Sequence, residues 1–422
     1  MARSRREKVL VVFGAGNIGR SFVGQLFARA GYRVVFVDVD RSLVDALNRA
    51  GRYLVRIRDR RPEDIWVEGV SAIDARDTDA AAEAVAGADI LATAVGPAAL
   101  PHTYPIIAAG LVRRREAGGP PLDIIICENL RNAARAFAEG LAAHLPADFP
   151  IASYVGLVET SIGKMVPLMP EAERRRDPLL LYAEAYNTLI LDAAAFRNPI
   201  PDVPGLDPKQ NMAAYVDRKA FIHNLGHAAC AYLGRLANPA WRFIWETVSD
   251  PVVRAAAKTA MWESGRALMR RYPREFGEAD QEAHIEDLLC RFANRALGDT
   301  IYRVGRDVPR KLSREDRLVG ALLMDAAEGV AAPITILAAA AAFFFDATDE
   351  SGQPFPADAD FARAVSRRGV DWVLSDVCGL DFSRPEEAAI AARLRRAVAY
   401  LAARPADWLA RYLADPASVL EA

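Results

Sequence analysis

Along the first two hundred residues, short apolar runs alternate with stretches of helical spacing. The runs are Lys8-Val-Leu-Val-Val-Phe13, Arg33-Val-Val-Phe-Val37, Asp89-Ile-Leu-Ala-Thr-Ala-Val95, Asp123-Ile-Ile-Ile-Cys127 and Asn187-Thr-Leu-Ile-Leu191. Each is apolar on successive positions, the pattern of a strand buried on both faces in a parallel sheet. Between them, residues 42–50 and a segment near Ala80 carry helical periodicity, while Tyr53-Leu-Val-Arg-Ile is mixed with charge. Strands alternating with helices predict an α/β unit. The pattern changes where Pro199, Pro201, Pro204 and Gly205 crowd together. Beyond that point helical periodicity dominates, with no strand-like alternation and no internal repeat. The expected division is 1–200 and 201–422.

The first apolar run leads directly into Gly14-Ala-Gly16-Asn17-Ile18-Gly19. In a strand, turn, helix sequence the first glycine permits the tight turn. The second lets backbone approach a pyrophosphate, and the third lets the helix pack on the strand. The second run ends at Asp38, whose carboxylate can accept from ribose hydroxyls and repel a 2′-phosphate, so the cofactor expected is NAD. Asp40 is the rival acid, two residues on. The fold expected is an α/β N-terminal Rossmann-type dinucleotide-binding domain followed by a mainly α-helical C-terminal domain. Val95 and Gly96 follow another strand, where the crevice of such a sheet lies or where a turn simply needs a glycine. Asn129 follows the run at 123–127, as a neutral amide donor for a substrate oxygen or an ordinary turn residue.

Residues 212–235 contain no proline, and their apolar positions recur at helical spacing around Lys219-Ala-Phe-Ile-His-Asn224-Leu-Gly-His227. At α-helical pitch Asn224 lies about 140° round from Lys219 and His227 about 80°, so the three share one broad face. An amine, an amide and an imidazole there suit acid–base chemistry on an oxygen, or are two solvated groups and one core histidine. His223 and His227 have an H-x-x-x-H spacing that can bind zinc, but no third ligand or helper glutamate stands at a zinc-site spacing, so no metal is expected.

Composition narrows the partners. The chain has 422 residues, 52% hydrophobic and 26% charged, with a formal net charge of −2, which argues against nucleic-acid or membrane-surface binding and for a small soluble partner. Cys127, Cys230, Cys290 and Cys378 are widely spaced and read as reduced thiols. The apolar stretch behind the basic start breaks at Gly14, unlike a secretory signal, and residues 329–345 include Pro333 and read as a buried helix; the expected location is the cytoplasm. Arg303, Arg306, Arg310 and Lys311 form a basic group that can grip a phosphate or be a solvated face. Oligomeric state is not legible.

Taken together, Phe13-Gly-Ala-Gly-Asn-Ile-Gly-Arg20, Thr93-Ala-Val-Gly-Pro97, Cys127-Glu-Asn129, the Lys219, Asn224 and His227 signature, and Arg303-Val-Gly-Arg306 with Arg310-Lys-Leu-Ser313 resemble the polyol-specific long-chain dehydrogenases over most of the chain. The resemblance implies metal-free hydride transfer between NAD and a sugar alcohol or ketose. It implies Lys219 as general base and acid, Asn129 and Asn224 as amide donors to the alkoxide, and His227 as the residue that positions substrate and tunes Lys219. The substrate pair implied is a sugar alcohol phosphate and a ketose phosphate, of the mannitol 1-phosphate and fructose 6-phosphate type. A free polyol or hexuronate is the alternative, and a silent NAD-binding sensor a more distant one. One departure stands at Ser161-Ile-Gly163-Lys164-Met-Val-Pro167, where the family carries an Asp-Arg pair. An acceptor for substrate hydroxyls is missing there, and Lys164 keeps a positive charge, which leaves the identity of the polyol open.

Overall fold

The computed structural model describes residues 7–130, 132–167 and 169–421; the basic start, residues 1–6, lies outside them. The chain divides into two compact units, Met1–Val216 and Asp217–Ala422.

The first unit is built on eleven strands: β1 (Val9–Phe13), β2 (Arg33–Asp38), β3 (Arg52–Ile57), β4 (Glu63–Glu68), β5 (Val70–Asp74), β6 (Ile90–Thr93), β7 (Leu122–Ile126), β8 (Val155–Ser161), β9 (Leu180–Ala183), β10 (Leu189–Asp192) and β11 (Leu206–Lys209). Eight form one sheet in the order β11-β10-β8-β7-β6-β1-β2-β5, parallel from β8 through β5. All five apolar runs become strands of this sheet. Burial on both faces explains them: Leu10 and Val12 of β1 enter one core with Phe22 and Phe36, and Val11 and Phe13 enter the other with Ile107 and Ile124. Burying each such side chain stabilises by roughly 1.5–3 kcal/mol, so neither face tolerates a polar residue cheaply.

Chain order runs outward from β1 through β2 to β5, then returns to β6 on the other side of β1. The carboxyl ends of β1 and β6 therefore flank a topological switch point, the place where open α/β sheets bind ligands. A second sheet, β4-β3-β9, was not legible in the sequence. In β3 the buried Tyr53, Val55 and Ile57 alternate with Arg52 and Arg56, and its other neighbour, β9, comes from far along the chain. Residues 201–216 stay with the first unit because β11, just after the proline cluster, pairs with β10.

The second unit is helical. Leu225–Ala237, buried over most of its length, packs against Ile244–Ser249, Pro251–Arg271, Ile301–Gly305 and Pro333–Ala341. Pro333–Ala341 is apolar because it is enclosed. Among the described residues no helix is long and apolar enough to cross a membrane. Towards the C-terminus Trp408 is buried, and Trp372 lies half-buried beneath the Arg368 guanidinium, 4.9 Å from its ring.

Two acids lie deep in this unit. Glu263 accepts from the amides of Ile334 and Thr335 at 3.0 and 2.8 Å and from the Thr335 hydroxyl at 2.8 Å, capping the helix that starts at Pro333. Asp325 accepts from Ser264 Oγ at 3.1 Å. Burial pushes the Glu263 carboxyl up to about 7, and burial together with the charge of Glu263 pushes Asp325 well above the usual carboxylate range. Acids whose folded ionisation lies above the unfolded one hold extra protons in the folded state. The contribution of Glu263 to stability is complete below about pH 4 and is lost as pH rises through about 7, and that of Asp325 is lost in the same direction. Asp325→Asn is therefore expected to lessen the drop in urea midpoint between about pH 5.5 and 8; an undiminished drop would contradict this origin.

Candidate active site

The turn after β1 meets the steric demands of its glycines. Gly14 has φ +96°, and a Cβ there would lie 2.5 Å from the Ala94 carbonyl oxygen. A Cβ on Gly19 would collide with the carbonyl oxygen of Gly14, so this glycine lets the helix sit against the turn. Gly16 is exposed, and a Cβ there would meet nothing within 4 Å, which leaves its backbone open to a ligand. Asn17 is exposed at the start of the helix, and Ile18 is partly buried against the core.

Asp38 ends β2 and turns back to the glycine turn. One carboxylate oxygen accepts from the Ala15 amide at 2.6 Å and the other from the Asp40 amide at 2.9 Å. Asp40 caps the helix Arg41–Ala50 by accepting from the amides of Ser42 and Leu43, which gives the rival acid a structural task. Sequence reading passed over Arg20. Its buried guanidinium donates to the carbonyls of Ala15 at 2.6 Å and Pro178 at 3.0 Å, bracing the same turn. The residues present thus fit a dinucleotide: an open glycine at a helix start, and an acid at the end of the neighbouring strand.

At the ends of β6 and β7, Val95 and Gly96 face Glu128. Their amides donate to its two carboxylate oxygens at 3.0 and 2.8 Å, and Gly96 has φ +87°. Asn129 is the next residue and is exposed. Lys164 is placed differently from a free cation: it is buried, with Nζ donating to the Tyr186 carbonyl at 2.8 Å and Asn187 Oδ1 at 3.0 Å, above the Phe22 ring.

In the second unit, the helix begun at Met212–Arg218 changes its hydrogen bonding to a π-helical turn over Lys219–Asn224 and reverts to α at Leu225–Ala237. In a π turn the bonds run between residues five apart, which brings Asn224 closer to Lys219 round the helix than α-helical pitch would. Such turns are rare and cluster at functional sites. Lys219 is largely withdrawn from water, and burial, followed by the charge of Arg317, lowers its ammonium to about 8. His227 stacks flat on Phe292, with centroids 4.5 Å apart and planes at 6°. Burial, then Arg303, Arg317 and Arg291, hold His227 well below its ordinary range, so it is neutral at physiological pH. His223 is also buried and neutral, with its ring centroid 6.3 Å from that of His227 and 5.7 Å from that of Phe292.

Asp299, which sequence reading also missed, is buried between two of these groups. Its Oδ2 lies 3.6 Å from His227 Nε2, and its Oδ1 pairs with Arg303. The signal was present, since an acid four residues before an arginine is helical pairing distance. The neighbouring cations are also matched. Arg310 pairs with Asp307 and with Asp316 at 2.9 Å, Arg317 pairs with Asp316 at 2.7 Å, and Arg306 lies over the rings of Tyr302 and Phe355. Lys311 is buried against the Arg306 carbonyl, and burial, then Arg317 and Arg310, lowers it to about 7. Lys219, His227, Arg303 and Lys311 thus belong to one electrostatic neighbourhood around Arg317, while Arg306 and Arg310 stand at its exposed edge.

Residues 8–205 match the family model of the mannitol dehydrogenase Rossmann domain, and residues 211–377 that of the mannitol dehydrogenase C-terminal domain. The chain is 36% identical to the mannitol-1-phosphate 5-dehydrogenase of Brevibacillus brevis over 394 residues, 92% of this chain and 97% of that one. Among solved structures it shares its fold with Pseudomonas fluorescens mannitol 2-dehydrogenase, in a ternary complex with NAD and D-mannitol. The TM-score is 0.74, with 20% identity over 97% of this chain and 95% of that one. A substrate-free D-sorbitol dehydrogenase gives a TM-score of 0.71, with 16% identity over 94% and 95%.

The burial of His227 makes a direct expectation. Its imidazole nitrogen shifts should report a ring that is still neutral at pH 6.5, where an ordinary histidine is half protonated. Protonation near the ordinary 6.5 would contradict the electrostatic picture of this cluster.

Proposed function

The chain belongs to the mannitol dehydrogenase family, and from that premise we propose that it is an NAD-dependent dehydrogenase interconverting a sugar alcohol phosphate and a ketose phosphate, of the mannitol 1-phosphate and fructose 6-phosphate type. The observation that carries the reading is Lys219: an amine lowered to about 8 by burial, at the start of a π turn that ends at Asn224. The phosphorylated substrate is supported by the 36% identical relative, whose name specifies it.

An alcohol can give up hydride only as its hydroxyl proton leaves, and a protonated lysine cannot take that proton. Lowering Lys219 to about 8 populates the neutral amine near physiological pH, which lets it act as base in oxidation and, once protonated, as acid in reduction. Asn224 donates to the oxygen as it becomes alkoxide; an amide does this without titrating, and such a donor is worth a few kcal/mol, about 3 in measured cases. His227 is neutral, and its tautomer with hydrogen on Nε2 directs that hydrogen towards Asp299 and leaves Nδ1 as an acceptor for a substrate hydroxyl. The open backbone at Gly16, the helix start at Asn17 and Ile18, and Asp38 would hold the dinucleotide, with Val95 and Gly96 along its path. When bound, the nicotinamide supplies the hydride acceptor. Lys219 exchanges its proton with the substrate oxygen, so the chain's own groups complete the acid–base part.

A second reading, a free polyol, is favoured by the matching of charge around the basic group. Arg303, Arg310 and Arg317 each pair with an aspartate, and Lys311 is lowered to about 7, which leaves a weaker field for a phosphate than the sequence suggests. Exposed Arg306 and the guanidinium faces of Arg303 and Arg310 remain able to donate to one.

Lys219→Ala is expected to lower the turnover number about 10²–10⁴-fold while leaving NADH affinity close to that of the unaltered protein; full activity in the variant would refute the base assignment. Paired assays with mannitol 1-phosphate against mannitol, and fructose 6-phosphate against fructose, are expected to favour the phosphorylated member of each pair. Preference for the free sugars would establish the second reading instead.

A further inference from the structure

Glu128 has no part in the chemistry above, yet it is one of the most deeply placed acids of the first unit, 5% exposed at the carboxyl end of β7. Both of its oxygens accept from consecutive backbone amides, those of Val95 and Gly96, in the turn that follows β6. A neutral carboxylic acid would carry a hydroxyl hydrogen on one of these oxygens and accept less well. The two-amide geometry therefore favours the ionised form, although burial pushes the carboxyl above its usual range. Its neighbours do not neutralise it: the Cys127 thiol and the Tyr104 phenol are both driven up by burial and by Glu128 itself, and both stay uncharged.

The topology says what such a charge faces. A dinucleotide crosses the sheet at the switch point between β1 and β6, with its adenosine half towards the acid that ends β2. The other half then runs towards β6 and β7, where Val95, Gly96 and Glu128 lie. NAD⁺ and NADH differ by one hydride, and the nicotinamide ring carries a positive charge only in the oxidised form.

We propose that Glu128 is a positioning residue for the cofactor, which holds the Val95–Gly96 turn in its binding shape and places a buried negative charge that favours NAD⁺ over NADH. This rests on the reading that the first unit binds NAD, and not on the identity of the polyol.

The test is equilibrium binding of NAD⁺ and of NADH to the full chain without any polyol, by calorimetry and by NADH fluorescence, for the unaltered protein, Glu128→Gln and Glu128→Asp. Glu128→Gln removes the charge and sets an amide NH₂ against one backbone N–H. It is expected to weaken both forms and to shift the NAD⁺ to NADH affinity ratio about tenfold towards NADH. Glu128→Asp keeps the charge but shortens its reach, and is expected to weaken both forms by a similar factor, with a ratio near that of the unaltered protein. Should Glu128→Gln fail to fold, an aspartate variant with the unaltered ratio and weaker binding of both forms still supports the proposal, and one with unchanged affinities overturns it. An unchanged ratio in a folded Glu128→Gln overturns the charge role while leaving the cofactor reading intact. Failure of the unaltered protein to bind either form overturns the cofactor reading and this inference together.

Discussion

Lys219 carries an amine that water would keep charged, and the helix presenting it takes most of that water away. Each unit of pKa lowering corresponds to about 1.4 kcal/mol of differential destabilisation of the charged form, a cost the fold must sustain. It does so with the hydrophobic helices packed behind Leu225–Ala237. The rest of the cluster follows the same rule. Guanidiniums close to His227 and Lys311 push both towards neutrality, while aspartates pair with the guanidiniums of Arg303, Arg310 and Arg317.

The π turn gives this electrostatic arrangement its geometry. An α-helix through Lys219 would leave Asn224 well round the cylinder, whereas bonding between residues five apart narrows that separation. A base and an oxyanion donor that act on one oxygen need that proximity. On the first unit the sheet does the equivalent work, since register alone delivers Gly14, Val95 and Asn129 to neighbouring strand ends.

Where a requirement is local, the sequence displays it. The strand at 9–13 and the glycine turn were legible because each position satisfies a demand of its own backbone, and Asp38 because it ends an apolar run. The small sheet of β3, β4 and β9 was not, because its alternation is masked by arginines and one of its partners arrives from residues 180–183. The π turn was read as plain helix, since its bonding depends on how the surrounding helices pack. Cationic residues from Arg303 to Lys311 stood out as a basic group, but their neutralisation by Asp299, Asp307 and Asp316 becomes visible only in three dimensions. Lys164 looked like a cation left behind by a changed motif, and is instead tied to Tyr186 and Asn187.

The claim on which the account turns is that burial holds the Lys219 amine near neutrality while the protein is folded. Reductive ¹³C-methylation followed by NMR titration, with Lys219→Ala to assign the resonance, measures this without reference to substrate. The account predicts a midpoint near 8. A midpoint at the ordinary 10.5 would contradict it, and with it the role of Lys219 as a base.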